Sequence, residues 1–468
     1  MKKKLPEINC GIYGEDIILI DYMIDSCEYF EKLIGLKWPI FLDSGYPKQS
    51  SGRYDIISAD PLETIICLNG STVGYRSGLP SASYDSPWAA ISNQLSKNSS
   101  VVNFDSEIPF SGGLMGYVGY NLDRKVNLNN KKIDGKVSDF PTMMLGRYGW
   151  ALIQDHFLSI SYLVFTNEYS EFKREALMSL LFSGESNSKG MFKILSPIIT
   201  DCKKKYFRDL ERIKTYLLNG DCYQINYSKE FSAEYAGDTF MAYKYLRDLL
   251  PSQYSCYFKA DGQEILSFSP ESFLKVDGRN VISKPIKGTS PRYQDQNKDI
   301  KSALELQKSL KDRAENIMIV DLIRNDLNRV CVPGSVGVEN ICEIESYANV
   351  HHLVSTIYGF LREDEGLVSL LKVCFPGGSI TGAPKIRAME IIDELESFDR
   401  RIYCGSVGYI GYNGRMNLNI SIRTLFADGK VLRCWAGGGI VMDSDPQKEY
   451  EEVMCKIGII LDGLSKFG

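Results

Sequence analysis

Lys287 lies in the stretch of this sequence that is best suited to chemistry. The run from Val281 to Arg292 reads Val-Ile-Ser-Lys-Pro-Ile-Lys-Gly-Thr-Ser-Pro-Arg. A strand ends at the start of this run, and its prolines and glycine then predict an extended, irregular loop, because they oppose both a helix and a continued strand ladder. Gly288 allows another molecule to approach the backbone, and Thr289 can donate a hydrogen bond. Burial would favour the neutral, nucleophilic amine of Lys287, whereas a solvated loop lysine would have no such role.

Two predicted helices each carry a pair of acids beside the apolar stripe that faces the core. The pairs are Asp312 with Glu315, on a helix from Lys311 to about Val330, and Glu449 with Glu452, on a helix that starts at Asp445-Pro446 and also carries Lys456. A carboxylate half-buried against such a stripe is unfavourable unless a cation compensates it. The two pairs could converge on one hard divalent ion, and ligation by oxygen alone suits magnesium rather than zinc. The alternative is that each pair is solvated and makes local salt bridges.

A further carboxylate, that of Glu271, follows a short strand predicted from Ile265 to Ser267. Side chains at strand ends beside loops are often those presented for catalysis. A second strand, Cys222 to Ser228, has a period of two that separates a tyrosine-bearing face from a polar face carrying Gln224. Exposure to solvent is the simplest explanation of that polar face.

The last third of the chain is predicted to be a β meander, because Asn413-Gly414 and Asp428-Gly429 are strong hairpin turns. Its middle strand runs from Met416 to Arg423, and the arginine is either an edge charge or a clamp for an oxyanion. The glycines from Gly437 to Gly439 let another group approach the sheet closely. The pair His351-His352 lies on a strand of its own.

The polar segment from Phe182 to Lys189 is the best candidate for a linker, and it divides the chain into regions 1–190 and 191–468. After it, a helix capped by Thr200 or the aspartate that follows is predicted to end at Asn219-Gly220. With 468 residues, 44% of them hydrophobic, the chain is long enough for two domains or one large composite fold.

Composition argues against several classes of partner. The net charge is -5, and the only basic block is the one at residues 1–4, so neither nucleic acid nor an anionic membrane is an expected partner. No apolar run approaches the roughly 18 to 20 residues that cross a bilayer, and no signal-peptide core is present, so the cytoplasm is the expected compartment. The 12 cysteines show no paired spacing, which predicts buried thiols rather than a zinc site or disulfides.

Seven segments in a fixed order make the chain resemble the chorismate-utilising enzymes. They are Ser269-Pro270-Glu271, Pro285 to Thr289, Arg313 to Asp326, His352 to Ser355, Gly377 to Lys385, Ala436 to Ile440 and Glu449 to Lys456. None is specific alone, but their order is, and the resemblance extends more loosely over the N-terminal half. It implies an α+β fold, a large antiparallel β-sandwich with helices on the outside, in which regions 1–190 and 191–468 form one composite and the site lies in the second.

The resemblance also implies a role for each candidate position. Glu315 and Glu452 would hold Mg²⁺, with Asp312 and Glu449 close by, and the ion would bind the ring carboxylate of chorismate. Gly438, Gly439 and Lys456 would contact that same carboxylate, whereas Tyr403 and Arg423 would hold the enolpyruvyl carboxylate. Glu271 would be the general acid that protonates the departing C4 hydroxyl, and Thr289, His352 and Thr381 would line the pocket.

Two positions divide this family. Members that use water as the nucleophile carry a lysine base where this chain has Gln224, which disfavours an isochorismate or salicylate synthase. Anthranilate synthases typically have Ala in place of Lys287. The lysine resembles the branch that forms 4-amino-4-deoxychorismate for p-aminobenzoate and folate, in which it attacks C2 before ammonia attacks C4. The rivals are an anthranilate synthase and a catalytically silent chorismate or tryptophan sensor.

The resemblance implies two further partners. Ammonia would come from a separate glutamine amidotransferase subunit, since the chain has three histidines and no cysteine in a Gly-x-Cys-x-Gly turn. The loop at Leu42, with Asp43, Ser44 and Gly45, lies where these enzymes form a tryptophan pocket. The sequence leaves open whether tryptophan binds there, and whether its role is structural or feedback.

Overall fold

Two large antiparallel β-sheets with helices packed around them make up the fold, which confirms the predicted α+β class. The structure is a computed structural model that describes residues 17–48, 52–97, 107–122, 140–183, 190–347 and 350–468. Within these ranges, no helix is both long and apolar enough to cross a membrane. The cysteines in these ranges are free thiols, and all but Cys202 and Cys455 are buried.

The strands up to residue 200 are β1 (Ile17–Ile20), β2 (Ile40–Asp43), β3 (Tyr54–Ser58), β4 (Glu63–Leu68), β5 (Ser71–Arg76), β6 (Leu79–Tyr84), β7 (Gly113–Val118), β8 (Met143–Tyr148), β9 (Trp150–Asp155), β10 (Ile160–Phe165), β11 (Phe192–Ile194) and β12 (Ile199–Thr200). The later strands are β13 (Gln224–Gly237), β14 (Tyr254–Ala260), β15 (Gln263–Ser269), β16 (Ser272–Asp277), β17 (Asn280–Lys284), β18 (Ile286–Pro291), β19 (Gly337–Ser346), β20 (Val350–Phe360), β21 (Gly382–Ala383), β22 (Ser406–Gly411), β23 (Met416–Asn419), β24 (Thr424–Ala427) and β25 (Val431–Ile440).

The helices are α1 (Cys27–Leu33), α2 (Pro87–Ser96), α3 (Glu171–Phe182), α4 (Lys203–Leu218), α5 (Thr239–Leu249), α6 (Gln296–Lys308), α7 (Leu310–Asn328), α8 (Leu367–Cys374), α9 (Lys385–Leu395) and α10 (Pro446–Leu464). Short 3₁₀ turns lie at Gly378–Ile380 and Ser465–Phe467. The two acid-bearing helices, α7 and α10, are thus where the sequence predicts them.

The first sheet has the order β1-β10-β9-β3-β2-β14-β15-β24-β25-β13-β11, and the second has the order β18-β20-β17-β16-β23-β22-β7-β8-β4-β5-β6. One apolar core, which includes Phe258 and Leu418, draws on both sheets, and a second, which includes Phe268 and Val453, lies between the first sheet and helices such as α5 and α10. Each sheet holds strands from before and after residue 190. The linker predicted from Phe182 to Lys189 falls mostly outside the described residues, so the division into regions stays a prediction.

The run from Val281 to Arg292 is not the irregular loop that its sequence predicts. β17 and β18 both pair with β20, and the register shifts between the pairs Ile286–Val354 and Thr289–His352, so Lys287 and Gly288 form a bulge. The prolines are tolerated because β18 lies at the end of its sheet, where missing amide donors leave no neighbouring strand unpaired.

The prediction of a single strand from Met416 to Arg423 is also wrong. β23 ends at Asn419 in the second sheet and β24 begins at Thr424 in the first, so the chain crosses between the sheets, and Arg423 adopts a φ of +49° there. The two hairpin turns that flank this crossing are confirmed, because β22 pairs with β23 and β24 pairs with β25.

The helix α4 begins later than its sequence predicts. Thr200 belongs to β12 and pairs with β13, so neither it nor the next residue caps the helix, and Cys202 precedes the first turn without a side-chain cap. The predicted end is confirmed, since α4 stops at Leu218 and Gly220 has a φ of +77°.

Candidate active site

The start of β13, the end of β25 and the helices α7 and α10 meet at the candidate active site. β13 and β25 pair with Tyr227 opposite Gly438 and Asn226 opposite Gly439. The side chain of Ser309 caps α7 and that of Asp445 caps α10. These caps fix where each helix begins and therefore which way its first acids face.

Three acids from the two helices are each paired with a lysine. The pairs are Lys287 with Glu315 at 2.8 Å, Lys311 with Glu449 at 2.8 Å and Lys456 with Glu452 at 2.6 Å. Burial opposes the ionisation of Glu452, but the ammonium groups of Lys456 and Lys311 outweigh it, so the pKa of Glu452 lies below its usual value. Each of the three acids therefore lies beside a lysine side chain at the candidate site.

The donor chemistry of this cluster fits magnesium, since all of its ligating atoms are oxygens. Among the residues that the structure describes, however, no three acidic, cysteine or histidine side chains are arranged so that they could hold an ion as they stand. Asp312 lies beside Gly288, where an added Cβ would come within 3.0 Å of the aspartate side chain. The metal site stays a prediction, and an ion would have to compete with the lysines for the carboxylates.

The glycines of β25 leave room for the acidic cluster. A Cβ added at Gly439 would lie 2.1 Å from Gln224 Nε2 and 2.4 Å from Glu315 Oε1. A Cβ added at Gly438 would lie 3.5 Å from the nearest oxygen of Glu449. Any side chain at residue 439 would therefore displace the acid or the amide.

Lys287 is buried, with 10% of its side chain exposed, so the solvated alternative is excluded. Burial lowers the pKa of its amine, but the carboxylates of Glu315, Glu271 and Glu452 outweigh burial and raise it above its usual value. The expectation that burial favours a neutral amine is therefore wrong for this arrangement, because Glu315 bonds to the ammonium directly. The amine becomes free to react only when that ion pair opens.

Glu271 lies between β15 and β16 and is 4% exposed. Burial raises the pKa of its carboxyl group to about 7, although hydrogen bonds from the Ser379 side chain and the Ile286 backbone and the charge of Lys287 oppose that rise. A carboxyl group with this pKa is partly protonated at neutral pH and can donate a proton to a leaving group.

Arg423 lies where the chain crosses between the sheets. In the described ranges its guanidinium makes no hydrogen bond or ion pair, and burial lowers its pKa. His352 lies close by, with Nδ1 2.9 Å from Thr289 Oγ1; burial, followed by the charge of Arg423, lowers the pKa of His352 to about 3. A neutral imidazole beside an uncompensated guanidinium suits an anionic ligand.

The polar face of β13 is buried, so its predicted exposure to solvent is wrong. Gln224, Asn226 and Ser228 are 1%, 8% and 1% exposed. Glu315 of α7 lies against Gln224, and Glu396 accepts a hydrogen bond from Ser228, so polar side chains rather than solvent meet this face. Gln224 Nε2 donates to Glu315, and its Oε1 has no hydrogen-bond partner among the described residues. A buried acceptor without a partner is available to a donor on a ligand.

Tyr403 and Thr381 are both buried and make specific contacts. Tyr403 stacks on Trp435 with ring centroids 6.0 Å apart, and burial raises the pKa of its hydroxyl well above the usual value. Thr381 donates to the carbonyl of Gly377 at 3.1 Å, while its own carbonyl accepts from the amide of Asn226.

Two residues of this cluster are not among the candidates from the sequence. Lys311 binds Glu449, and Ser379 binds Glu271. Lys311 could have been found, because it lies four residues before Glu315 on one helix face. Ser379 gives no such signal, since only the fold brings its turn to Glu271.

The predicted tryptophan loop is held by several hydrogen bonds and lies beside a separate cavity. Asp43 accepts hydrogen bonds from Arg247, from the hydroxyl of Tyr243 at 2.9 Å and from the amide of Gly45 at 2.8 Å. The side chain of Ser44 donates to Asp55. A cavity of about 80 Å³ adjoins Asp43, and its lining includes Leu42, Tyr54, Pro109, Gln253 and Asn419.

Comparisons with known proteins all indicate the same family. The sequence profile of the chorismate binding enzymes matches residues 39–462. Aminodeoxychorismate synthase component 1 of Escherichia coli (strain K12) is 39% identical over 452 residues, which are 96% of this chain and 98% of that protein. Anthranilate synthase component 1 of Saccharolobus solfataricus is 36% identical over 75% of this chain and 81% of that protein. The crystal structure of anthranilate synthase component I from Streptococcus pneumoniae TIGR4 has a TM-score of 0.73 at 30% identity, covering 88% of this chain and 93% of that one.

Proposed function

The chain belongs to the chorismate-binding enzyme family, and from that premise we propose that it is component 1 of an aminodeoxychorismate synthase, which converts chorismate and ammonia to 4-amino-4-deoxychorismate. Relatives of that name align over nearly the whole chain. The observation that carries the proposal is Lys287, a buried lysine in the same cleft as the partly protonated acid Glu271. A nucleophile and a proton donor are what displacement of a poor leaving group requires.

Chorismate carries two carboxylates, and the cleft offers a separate cation for each. Lys456 and the bare backbone at Gly438 and Gly439 suit the ring carboxylate, while the guanidinium of Arg423 suits the enolpyruvyl carboxylate near Tyr403. Binding would give Arg423 the anionic partner that the described residues do not supply. The free Oε1 of Gln224 could accept from a substrate hydroxyl.

The first step is displacement of the C4 hydroxyl. After its ion pair with Glu315 opens and its proton passes to solvent, the neutral amine of Lys287 forms a bond to C2. Both ring double bonds then shift by one position towards C4, and the C4–O bond breaks as Glu271 gives its proton to the leaving oxygen. Water leaves, Glu271 becomes a carboxylate, and the substrate is held as an adduct on Lys287.

The second step is amination. Ammonia attacks C4, both ring double bonds return to their original positions, and the C2–N bond breaks to release Lys287 as a neutral amine. The proton that the new C4 nitrogen loses returns to Glu271, so the acid is ready for another turnover. The sum is chorismate plus ammonia giving 4-amino-4-deoxychorismate plus water.

Magnesium is part of this proposal. Glu315 and Glu452 would hold the ion, with Asp312 and Glu449 close by, and the ion would supply positive charge to the ring carboxylate. Their all-oxygen donor set supports this assignment. Ligation of Glu315 would also leave Lys287 without its acid partner.

Ammonia and tryptophan complete the proposed set of partners. The relatives carry the component number 1, which supports a second component, and we infer that this is a glutamine amidotransferase that releases ammonia. We also propose that the cavity beside Asp43 takes tryptophan in a structural role, because the loop at Asp43 is already braced by Arg247 and Tyr243. Amino-acid analysis of the denatured, purified protein would detect bound tryptophan.

Trapping the adduct tests the mechanism. The purified enzyme incubated with chorismate and magnesium without ammonia should gain mass on the peptide that contains Lys287, and Lys287→Ala should lose both the adduct and most amination. Lys284→Ala is the matched control, since Lys284 lies three residues earlier and pairs with Glu345 outside the site. Native amination by Lys287→Ala, with no adduct in the parent enzyme, would refute the covalent mechanism.

A further inference from the structure

Glu271 borders a small cavity as well as the cleft that holds Lys287. The cavity has a volume of about 10 Å³, which is room for about one water molecule. Of the described residues, its lining includes Glu271, Ser379 and Asp326 but neither Lys287 nor Lys456. Those two lysines act on Glu271 through their charges, from the side of the cleft. Glu271 therefore lies between two different spaces.

Two buried polar side chains besides Glu271 adjoin this cavity. The hydroxyl of Ser379, in the 3₁₀ turn at Gly378–Ile380, donates to the carboxyl group of Glu271. Asp326, near the end of α7, accepts from Lys385 Nζ through Oδ2 at 2.6 Å. In the described part of the chain, no donor meets its other oxygen, Oδ1. A water molecule in the cavity can donate to Oδ1 and to the hydroxyl oxygen of Ser379, and so satisfy both.

Lys385 connects the far end of this cavity to solvent. Its Nζ also donates to the carbonyl of Cys374, which is part of the same lining, at 3.0 Å. The side chains of Lys385 and Asp326 are 15% and 9% exposed, so solvent reaches the pair. Burial raises the pKa of Asp326, although the ammonium of Lys385 opposes that rise. The carboxylate therefore takes up a proton more readily than one on the surface.

Glu271 needs a proton from this side when substrate fills the cleft. Because its pKa is about 7, Glu271 is a carboxylate in roughly half of the molecules at neutral pH. Chorismate bound to such a molecule meets no proton donor, and it covers the side of Glu271 that faces the cleft. We propose that solvent protons then reach Glu271 through the cavity, by way of Asp326 and Ser379, an inference that rests on the proposed function.

Each group on this route gains one proton and passes one on. The ammonium of Lys385 gives a proton to Asp326 and takes one from solvent. Asp326 gives its proton to the cavity water, which gives one of its own to the oxygen of Ser379, while the hydroxyl proton of Ser379 moves to the Glu271 carboxylate. The net change is that one solvent proton neutralises Glu271, so no other reactant is needed. Asp326 and Ser379 act only through Glu271.

Deuterium exchange of the Glu271 carboxyl group tests the proposal. The Lys287→Ala protein, bound to chorismate below pH 7, lacks the nucleophile and so keeps its substrate unreacted. It also lacks one of the charges that lower the pKa of Glu271, so the carboxyl group stays protonated. Rapid mixing with D₂O moves its infrared band to lower frequency as deuterium replaces the proton. A parallel protein that also carries Glu271→Gln identifies the band.

Adding Asp326→Asn should slow this exchange about tenfold or more in the chorismate complex, because an amide does not relay a proton. Without chorismate the exchange should keep the rate of the Lys287→Ala protein, since solvent then enters the cleft. Ser379→Ala breaks the route at its other end and should have the same two effects. Asp209→Asn is the matched control, because Asp209 is also buried and pairs with a lysine, Lys205, but lies on α4 outside the cavity lining.

The outcomes separate this route from a structural role and from the function. Exchange at the rate of the Asp209→Asn control in the chorismate complex of either variant would overturn the proposal. Equal slowing with and without chorismate would assign Asp326 and Ser379 a structural role and would also overturn it. Failure of the Lys287→Ala protein to bind chorismate, measured by calorimetry, would instead refute the proposed function, and this inference with it.

Discussion

Burial raises the pKa of Glu271 and hydrogen bonds partly oppose that rise, so the pKa lies close to physiological pH. Its pKa of about 7 lies above the usual glutamate value, so the protonated form is present below pH 7 and is lost as the pH rises through 7. Proton donation to the C4 oxygen should therefore weaken on the alkaline side.

We predict that infrared difference titration will show a protonated carboxyl band that disappears with a midpoint near pH 7. Below that pH, the difference spectrum of the parent minus the Glu271→Gln protein should contain the band. Above that pH, the difference spectrum should lack it. The comparison with Glu271→Gln isolates this group from other buried carboxyl groups. A midpoint near the ordinary glutamate pKa of about 4.3 would contradict the assignment of Glu271 as general acid.

Arg423 is predicted to serve binding rather than stability. Burial lowers its pKa, which means that the charged form is less favourable in the folded protein than in water. Arg423→Met should therefore leave the melting temperature unchanged or higher while raising KM for chorismate at least tenfold, an effect of about 1.4 kcal/mol.

Arg400→Met is the contrasting control for Arg423→Met. Arg400 is buried, its guanidinium binds Glu396 at 2.7 Å, and breaking such a pair typically costs about 3–5 kcal/mol of stability. Thermal unfolding followed by calorimetry compares the two variants. Equal destabilisation by both would show that Arg423 has a structural partner and would contradict its role as a substrate clamp.

At the scale of secondary structure, α7 and α10 carry the acids that define the metal prediction. Glu452→Gln should keep the fold but raise the magnesium concentration needed for half-maximal turnover by about tenfold or more, because an amide supplies less charge to the ion. Glu451→Gln is the matched control. Glu451 is the neighbour of Glu452 on α10, but its side chain is exposed and accepts a hydrogen bond from Gln447. Full turnover by the Glu452→Gln enzyme in the absence of magnesium would refute the proposed magnesium site.

Local patterns in the sequence were sufficient to predict these two helices. The apolar spacing of α7, the Asp445-Pro446 start of α10 and the two hairpin turns all depend on neighbouring residues, and the structure has each of them. The resemblance to chorismate-utilising enzymes supplied the candidate residues, and many of these lie around one cleft, which short-range patterns alone do not predict.

The predictions that the structure contradicts depend on contacts between residues far apart in the sequence. The proline-rich run before Arg292 joins a ladder because β20 lies beside it, and the strand from Met416 splits because its two ends fit different sheets. The polar face at Gln224 is buried because Glu315 and Glu396, from distant parts of the chain, lie against it. The pairing of Lys287 with Glu315 likewise depends on the fold, so its effect on the pKa of the amine could not be predicted.

At the scale of the whole molecule, the two sheets tie distant parts of the chain together. β2 pairs with β14, and β7 pairs with β22, so in each sheet a block of N-terminal strands continues the block of later strands that leads to the site. The loop at Asp43 connects to this framework through Arg247, which contacts both Asp43 and Asp25. A ligand in the cavity beside Asp43 would therefore stabilise the composite fold as a whole.

The identity of the product tests the central claim most directly. The purified chain should be incubated with chorismate, magnesium and an ammonium salt, and its products separated by liquid chromatography with mass detection. The account predicts 4-amino-4-deoxychorismate as the main product, formed without any added amidotransferase, and no conversion when glutamine replaces the ammonium salt. Anthranilate as the main product, recognised by its fluorescence, would contradict it.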